Sequence, residues 1–228
     1  MNIILNDGES LEELGIGGLK ILQSKHLYRF TSDAILLTKF ASVKKNEKVA
    51  DLCSGGGIVG LHFYALNENL VKSVDMFELQ EPLVEMCSRT IEFNGLTDIF
   101  FVHAQRVQDI GREYDGYFSL VLCNPPYERA GTGDKSLSES DRIARHEIAV
   151  TLEEIVSVAA KKLKYGGRMY ISHRADRLTD LMCSMRENGI EPKRLKFVIA
   201  RGETPYLVLL EGAKGGRPGI KIEPFIKN

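Results

Sequence analysis

With 228 residues, 43% of them apolar and 27% charged, the chain is long enough to bury a sizeable core as one domain with a short addition. Thirty basic against 31 acidic residues leave a formal net charge of −1, which excludes binding driven by whole-molecule positive charge and confines any nucleic-acid contact to local basic faces. Four scattered cysteines argue against a disulfide framework or a zinc site, and no apolar run is long enough to span a membrane.

In chain order, MNIILNDGESLEELG carries acids where a signal peptide carries basic residues, so a cytoplasmic location is expected. Residues 1–46 form a preface: GLKILQSKHLYRF reads as strands and TSDAILLTKFASV as a helix capped by Thr31 or Ser32. From Glu47 onward seven strand candidates follow: KVADLC, VKSVDMFEL, DIFFVH, YFSLVLC, GRMYIS, RLKFVIA and TPYLVLLEG. Cys53 and Cys123 end two of these runs and read as small buried side chains. Helical patterns separate the strands. QEPLVEMCSRTIEFNG opens with Pro82 in its first turn and closes at Gly95. In TLEEIVSVAAKKLK, Leu152, Ile155, Val156, Ala159 and Leu163 share one face, as do Leu178, Leu181, Met182 and Met185 in ADRLTDLMCSMREN.

Strand–helix alternation implies a doubly wound α/β domain with a mostly parallel sheet over residues 47–212. The RGE connection between the last two strands is too short for a parallel crossover and predicts an antiparallel C-terminal hairpin. The basic tail, residues 213–228, is rich in glycine and proline and is expected to lie on the surface, in part disordered.

After the first core strand comes DLCSGGGIVG, in which Gly55, Gly57 and Gly60 fit the spacing of a dinucleotide loop. Asp51, four residues before the first glycine, is awkward beside a pyrophosphate and suits an ammonium group. The loop adds Ser54, backbone donors at a helix start and glycines that permit close approach. Glu78 and Leu79 end the next strand, where a carboxylate accepts from both hydroxyls of a ribose. Ammonium, carboxylate and ribose diol together describe S-adenosyl-L-methionine. These residues resemble class I S-adenosylmethionine-dependent methyltransferases, with D-x-x-x-G-x-G as Asp51–Gly57, and the resemblance implies their Rossmann-like, seven-stranded sheet. Such domains read the adenine amine with a polar residue after the third strand; Ala104 or Gln105 takes that place here.

The fourth strand ends in CNPPYERAGTG, which delivers Asn124 to the carboxyl edge of the sheet, where open α/β folds bind ligands. The amide oxygen of Asn124 and the carbonyl of Pro125 can each accept one N–H of a planar amine and turn its lone pair toward a sulfonium methyl. Pro125 and Pro126 stiffen the chain, and Tyr127 offers a ring on which a base can stack. Asn-Pro is also an ordinary turn initiator.

With YRFTSDAILLTKFA, RIARHE and LKYGGRMYISHRADRL, the NPPY tetrapeptide is similar to the bacterial tRNA(Val) (adenine-37-N6)-methyltransferase family, over about Leu19–Gly219. That resemblance implies an RNA partner, a tRNA, and no obligatory protein partner. It puts Thr31 and Asp33 near the methionine end of the cofactor, with Arg29 and Phe30 at the entrance, although Thr31 and Asp33 read equally well as cap residues. It makes residues 128–147 a substrate loop whose Arg129, Arg142, Arg145 and His146 meet phosphates. Further phosphate contacts would come from KKLK at Lys161–Lys164, KRLK at Lys193–Lys196 and the basic tail. No histidine spacing implies a metal. The alternatives are methylation of guanine N2 in ribosomal RNA or of a protein glutamine amide, a non-catalytic S-adenosylmethionine-binding module, and a nicotinamide oxidoreductase.

Overall fold

The structure, a computed structural model, describes residues 3–127, 150–200 and 202–228. A β-hairpin of β1 (Glu9–Glu13) and β2 (Lys20–Ser24) precedes helix α1 (Ser32–Phe40). The core runs β3 (Glu47–Leu52), α2 (Ile58–Asn67), β4 (Val71–Glu78), α3 (Glu81–Phe93), β5 (Phe100–Ala104) and β6 (Phe118–Cys123). It continues through α4 (Leu152–Lys162), β7 (Leu163–Arg174), α5 (Leu178–Glu187), β8 (Ile190–Ile199), β9 (Pro205–Lys214) and β10 (Lys221–Lys227).

The main sheet has the order β10-β8-β9-β7-β6-β3-β4-β5. Strands β3 to β7 pair in parallel, and β9 runs antiparallel between β7 and β8, as the short connection requires. All of β6 is buried, the mark of a strand covered on both faces. On one face Ile155 and Ala159 of α4 pack with Leu181 and Met185 of α5. On the other, Leu37 of α1 joins Leu61 and Phe63 of α2. Each of the larger side chains contributes about 1.5–3 kcal/mol by leaving water.

One expectation changes. The tail is not a disordered appendage: it adds β10 beside β8, giving eight strands where seven were expected. Glu223 draws it in, pairing with Lys196 at 3.0 Å and Arg194 at 3.1 Å. Pro224 is tolerated there because β10 is an edge strand with a register shift between Glu223 and Ile226. The acidic amino-terminal segment forms β1, which has no apolar alternation to announce it, since long-range contacts hold the hairpin. Thr90 Oγ1 accepts from Leu22 N at 3.1 Å, and Arg89 grips the Glu9 carboxylate at 2.8 and 2.9 Å.

Candidate active site

Strands β3, β4 and β6 are neighbours, so their carboxyl ends bring Asp51, Glu78 and Asn124 to one edge. There the chain leaves β3 through a strained turn. Cys53 has φ +59°, Gly55 +55° and Gly57 +86°, and Gly57 caps α2. A Cβ on Gly57 would lie 2.5 Å from Cys87 Sγ, so only glycine fits. Gly60 serves packing instead, because a Cβ there would meet Met76 Sδ and Val74 at 3.1 Å. Cys53, expected to be buried, is half-exposed in that turn and lines the cleft.

Asp51 is completely buried. Its Oδ2 accepts from Gly60 N at 2.8 Å, while Oδ1 has no hydrogen-bond partner. Burial raises its pKa to about 7, against the Gly60 bond and with help from the Glu78 charge. Ser54 Oγ is likewise buried without a partner. Glu78 accepts from Gly55 N and Gln80 N, each at 2.9 Å, and burial raises its pKa as well. One half of the cleft is walled by Glu78, Leu79, Phe77 and Gln105, the other by Ser54, Gly55, Gly56 and Phe30. Asn124 and Tyr28 border both halves. The unpartnered Ser54 hydroxyl, the Glu78 carboxylate and the apolar wall of Phe77 and Leu79 line the cleft and fit the amino-acid end, ribose and adenine of S-adenosylmethionine, whereas Asp51 is buried outside both linings. Between Ala104 and Gln105, only Gln105 lines the cleft.

The substrate side is built differently. Asn124 Oδ1 accepts from Ser172 Oγ at 2.6 Å and from the Tyr127 hydroxyl, which also lies 3.1 Å from Ser172 Oγ. The Tyr127 ring is folded inward, tilted 56° against His173 at 5.5 Å, and is not displayed as a stacking surface. Burial first, then the nearby Asp33 charge, raise the Tyr127 pKa and keep its hydroxyl protonated. Burial lowers the His173 pKa to about 4, so its ring is neutral at physiological pH. Pro125 and Pro126 are buried, with Pro126 in the cleft wall.

Thr31 caps α1 by position but makes no side-chain cap bond, and Asp33 accepts from Tyr206 OH at 3.1 Å. The walls of both cleft halves are built without either residue. Arg29 is held by Glu12 at 2.6 Å, whereas its neighbour Phe30 does reach the cleft. Arg129, Arg142, Arg145 and His146 lie outside the described residues. The KRLK run is largely spent, the KKLK run only in part. Lys162 pairs with Asp115 at 2.6 Å, Lys193 donates to the carbonyls of Arg217 and Gly219, and Arg194 and Lys196 share Glu223. Lys164 instead joins Lys48 and Lys72 around a cavity at the opposite, amino edge of the sheet, and none of the three pairs with a carboxylate among the described residues. Sequence reasoning missed Tyr28, Ser172 and this lysine trio. Tyr28 stands beside Arg29 and Phe30, while the others are assembled from separate strands. Among the described residues no group of three or more His, Cys, Asp or Glu side chains could hold a metal ion.

The profile of the methyltransferase small domain matches residues 31–185, more than half of the chain. The chain belongs to that family. Curated relatives are tRNA1(Val) (adenine(37)-N6)-methyltransferases. That of Shewanella sediminis is 25% identical over 57% of this chain and 54% of its own length. That of Flavobacterium psychrophilum is 24% identical over 64% and 62%. The matched region thus spans little more than half the length of these relatives. Among solved structures, a predicted O-methyltransferase from Agrobacterium tumefaciens superposes with a TM-score of 0.67 at 18% identity, covering 86% of each chain. The Methanocaldococcus jannaschii tRNA m1G37 methyltransferase gives 0.63 at 14%, over 93% of this chain and 56% of that one. The fold is accordingly the Rossmann-like fold of class I methyltransferases. No helix among the described residues is long and apolar enough to cross a membrane.

Proposed function

We propose that the protein is an S-adenosylmethionine-dependent N-methyltransferase acting on N6 of an unpaired adenine in RNA, specifically in the anticodon loop of a tRNA. A single observation carries the proposal: Asn124 and the Cys53–Gly56 turn border one cleft, so an amine acceptor and a cofactor cradle sit side by side. The names of the curated relatives support the choice of adenine and tRNA. A cytoplasmic location follows from that substrate.

When bound, S-adenosylmethionine would supply an electrophilic methyl on a sulfonium whose sulfur can keep the C–S electron pair. Ser54 would hold the amino-acid end with the Asp51 carboxylate buried nearby, Glu78 would hold the ribose, and Leu79 and Gln105 would flank the adenine. The oxygen of Asn124 and the carbonyl of Pro125 hold the two protons of the substrate amine and localise its lone pair, which the purine ring otherwise delocalises. The amine needs no base before transfer, because its proton becomes acidic only once the new N–C bond forms. Catalysis then comes from positioning and from dipoles fixed in advance. Turning a loop adenine into the cleft costs a few kcal/mol or less, since no base pair is broken. Lys48, Lys72 and Lys164 are candidates for backbone phosphate contacts.

Tritiated S-adenosylmethionine offered with undermodified tRNA, ribosomal RNA or total protein tests this. Label in tRNA recovered as N6-methyladenosine is the expected result. Label in guanine, in protein alone, or nowhere overturns it.

A further inference from the structure

We infer that Ser172 is the positioning residue of the amine acceptor, and that the Tyr127 hydroxyl occupies the place the substrate N–H must take. This inference rests on the N-methyltransferase proposal. Strands β6 and β7 run parallel with Cys123 opposite Ile171, which sets Ser172 beside Asn124, one residue beyond the last pair. Ser172 is fully buried, and β9 fixes its backbone through the pair with Leu209. An amide oxygen has two lone pairs. In Asn124 Oδ1 one receives the Ser172 hydroxyl at 2.6 Å and the other the Tyr127 hydroxyl.

Two consequences follow. The Ser172 hydroxyl, anchored on β7, ties down the amide oxygen of Asn124 at the edge of the sheet, so that an incoming amine meets an acceptor already in place. The acceptor is also saturated as it stands, so a substrate N–H has to displace Tyr127. Ser172 Oγ lies 3.1 Å from the Tyr127 hydroxyl, an alternative acceptor as that hydroxyl leaves. Displacement frees the aromatic ring from His173, and the stacking surface expected from the sequence becomes available only then.

The test is a double-mutant cycle on the full chain, with methyl transfer to tRNA as the readout and S-adenosylmethionine affinity measured separately. Ser172→Ala is expected to lower kcat about 10- to 30-fold, the scale of one hydrogen bond to a reacting centre, with cofactor affinity retained. In an Asn124→Ala background the same change should cost less than about threefold, because there is no amide left to tie down. Tyr127→Phe, which keeps the ring and drops the competing hydroxyl, should lower KM for tRNA several-fold. Additive losses from Ser172→Ala and Asn124→Ala, or an unchanged kcat in Ser172→Ala, would overturn the role of Ser172. A raised or unchanged KM in Tyr127→Phe would overturn the displacement, and it remains readable if Ser172→Ala does not fold. Failure of the functional proposal looks different, since the wild-type protein itself then yields no N6-methyladenosine in tRNA, whatever the variants do.

Discussion

The two halves of the cleft handle their hydrogen bonds in opposite ways. Around the glycine turn, Asp51 Oδ1 and Ser54 Oγ are buried with no hydrogen-bond partner. Around the NPPY segment, Asn124, Tyr127 and Ser172 satisfy one another. Buried unpaired oxygens are costly, so the first half carries stored affinity for a ligand that supplies donors. The second half carries none until it opens. A cofactor can therefore bind to the fold as it stands, whereas a substrate amine must break an existing contact. That asymmetry favours loading the cofactor before the acceptor.

The most severe break is Asn124→Ala. Removing the acceptor should reduce turnover about 10²- to 10³-fold while leaving S-adenosylmethionine binding intact, as single-turnover assays and calorimetry would reveal. Comparable loss of both would merge the two halves into one unit. Gly57→Ala strikes the rigid half. It forces a side chain into a left-handed conformation at φ +86° and against Cys87, at a cost of roughly 2–4 kcal/mol. Thermal melting should fall by about 5–15 °C.

Next in size is Asp51. Its folded pKa of about 7 lies above the unfolded value, so the folded state binds the extra proton between about pH 4 and 7. Stability without ligand should therefore decline as pH rises through that window and level off above it. Affinity for the cofactor ammonium should move the other way, gaining up to about tenfold per pH unit below 7. Binding calorimetry as a function of pH checks the slope, with Glu78 the other buried acid in reach. Asp51→Asn should flatten the Asp51 contribution and weaken binding about 10- to 100-fold, the loss of one charged hydrogen bond.

The smallest effect concerns the far edge of the sheet. Replacing Lys48, Lys72 and Lys164 together by Gln should reduce the salt dependence of tRNA binding, by about 0.7–0.9 in log–log slope for each phosphate left without its lysine. An unchanged slope would confine RNA binding to the cleft side.

Much of this was legible in the amino-acid order, because it is local. Alternating apolar runs and amphipathic helices specify a parallel sheet with two covered faces. Asp51, the spaced glycines and Glu78 lie within one strand–turn–helix–strand unit, and Asn124 follows a strand whose end is fixed by its own hydrophobic run. The pairing of β8 with β9 followed from a short connection. What the chain order left open depends on partners distant in sequence. Ser172 acquires its place only because β7 lies beside β6, 48 residues from Asn124. The tail becomes a strand because Arg194 and Lys196 meet Glu223, which also ties up two of the three charges of the KRLK run. The inward seat of Tyr127 is likewise decided by His173 and Ser172. Local patterns set where strands and turns form, but hydrogen bonds and ion pairs between distant segments exist only once the sheet is assembled. Only tertiary structure could decide which polar atoms remain free for a ligand.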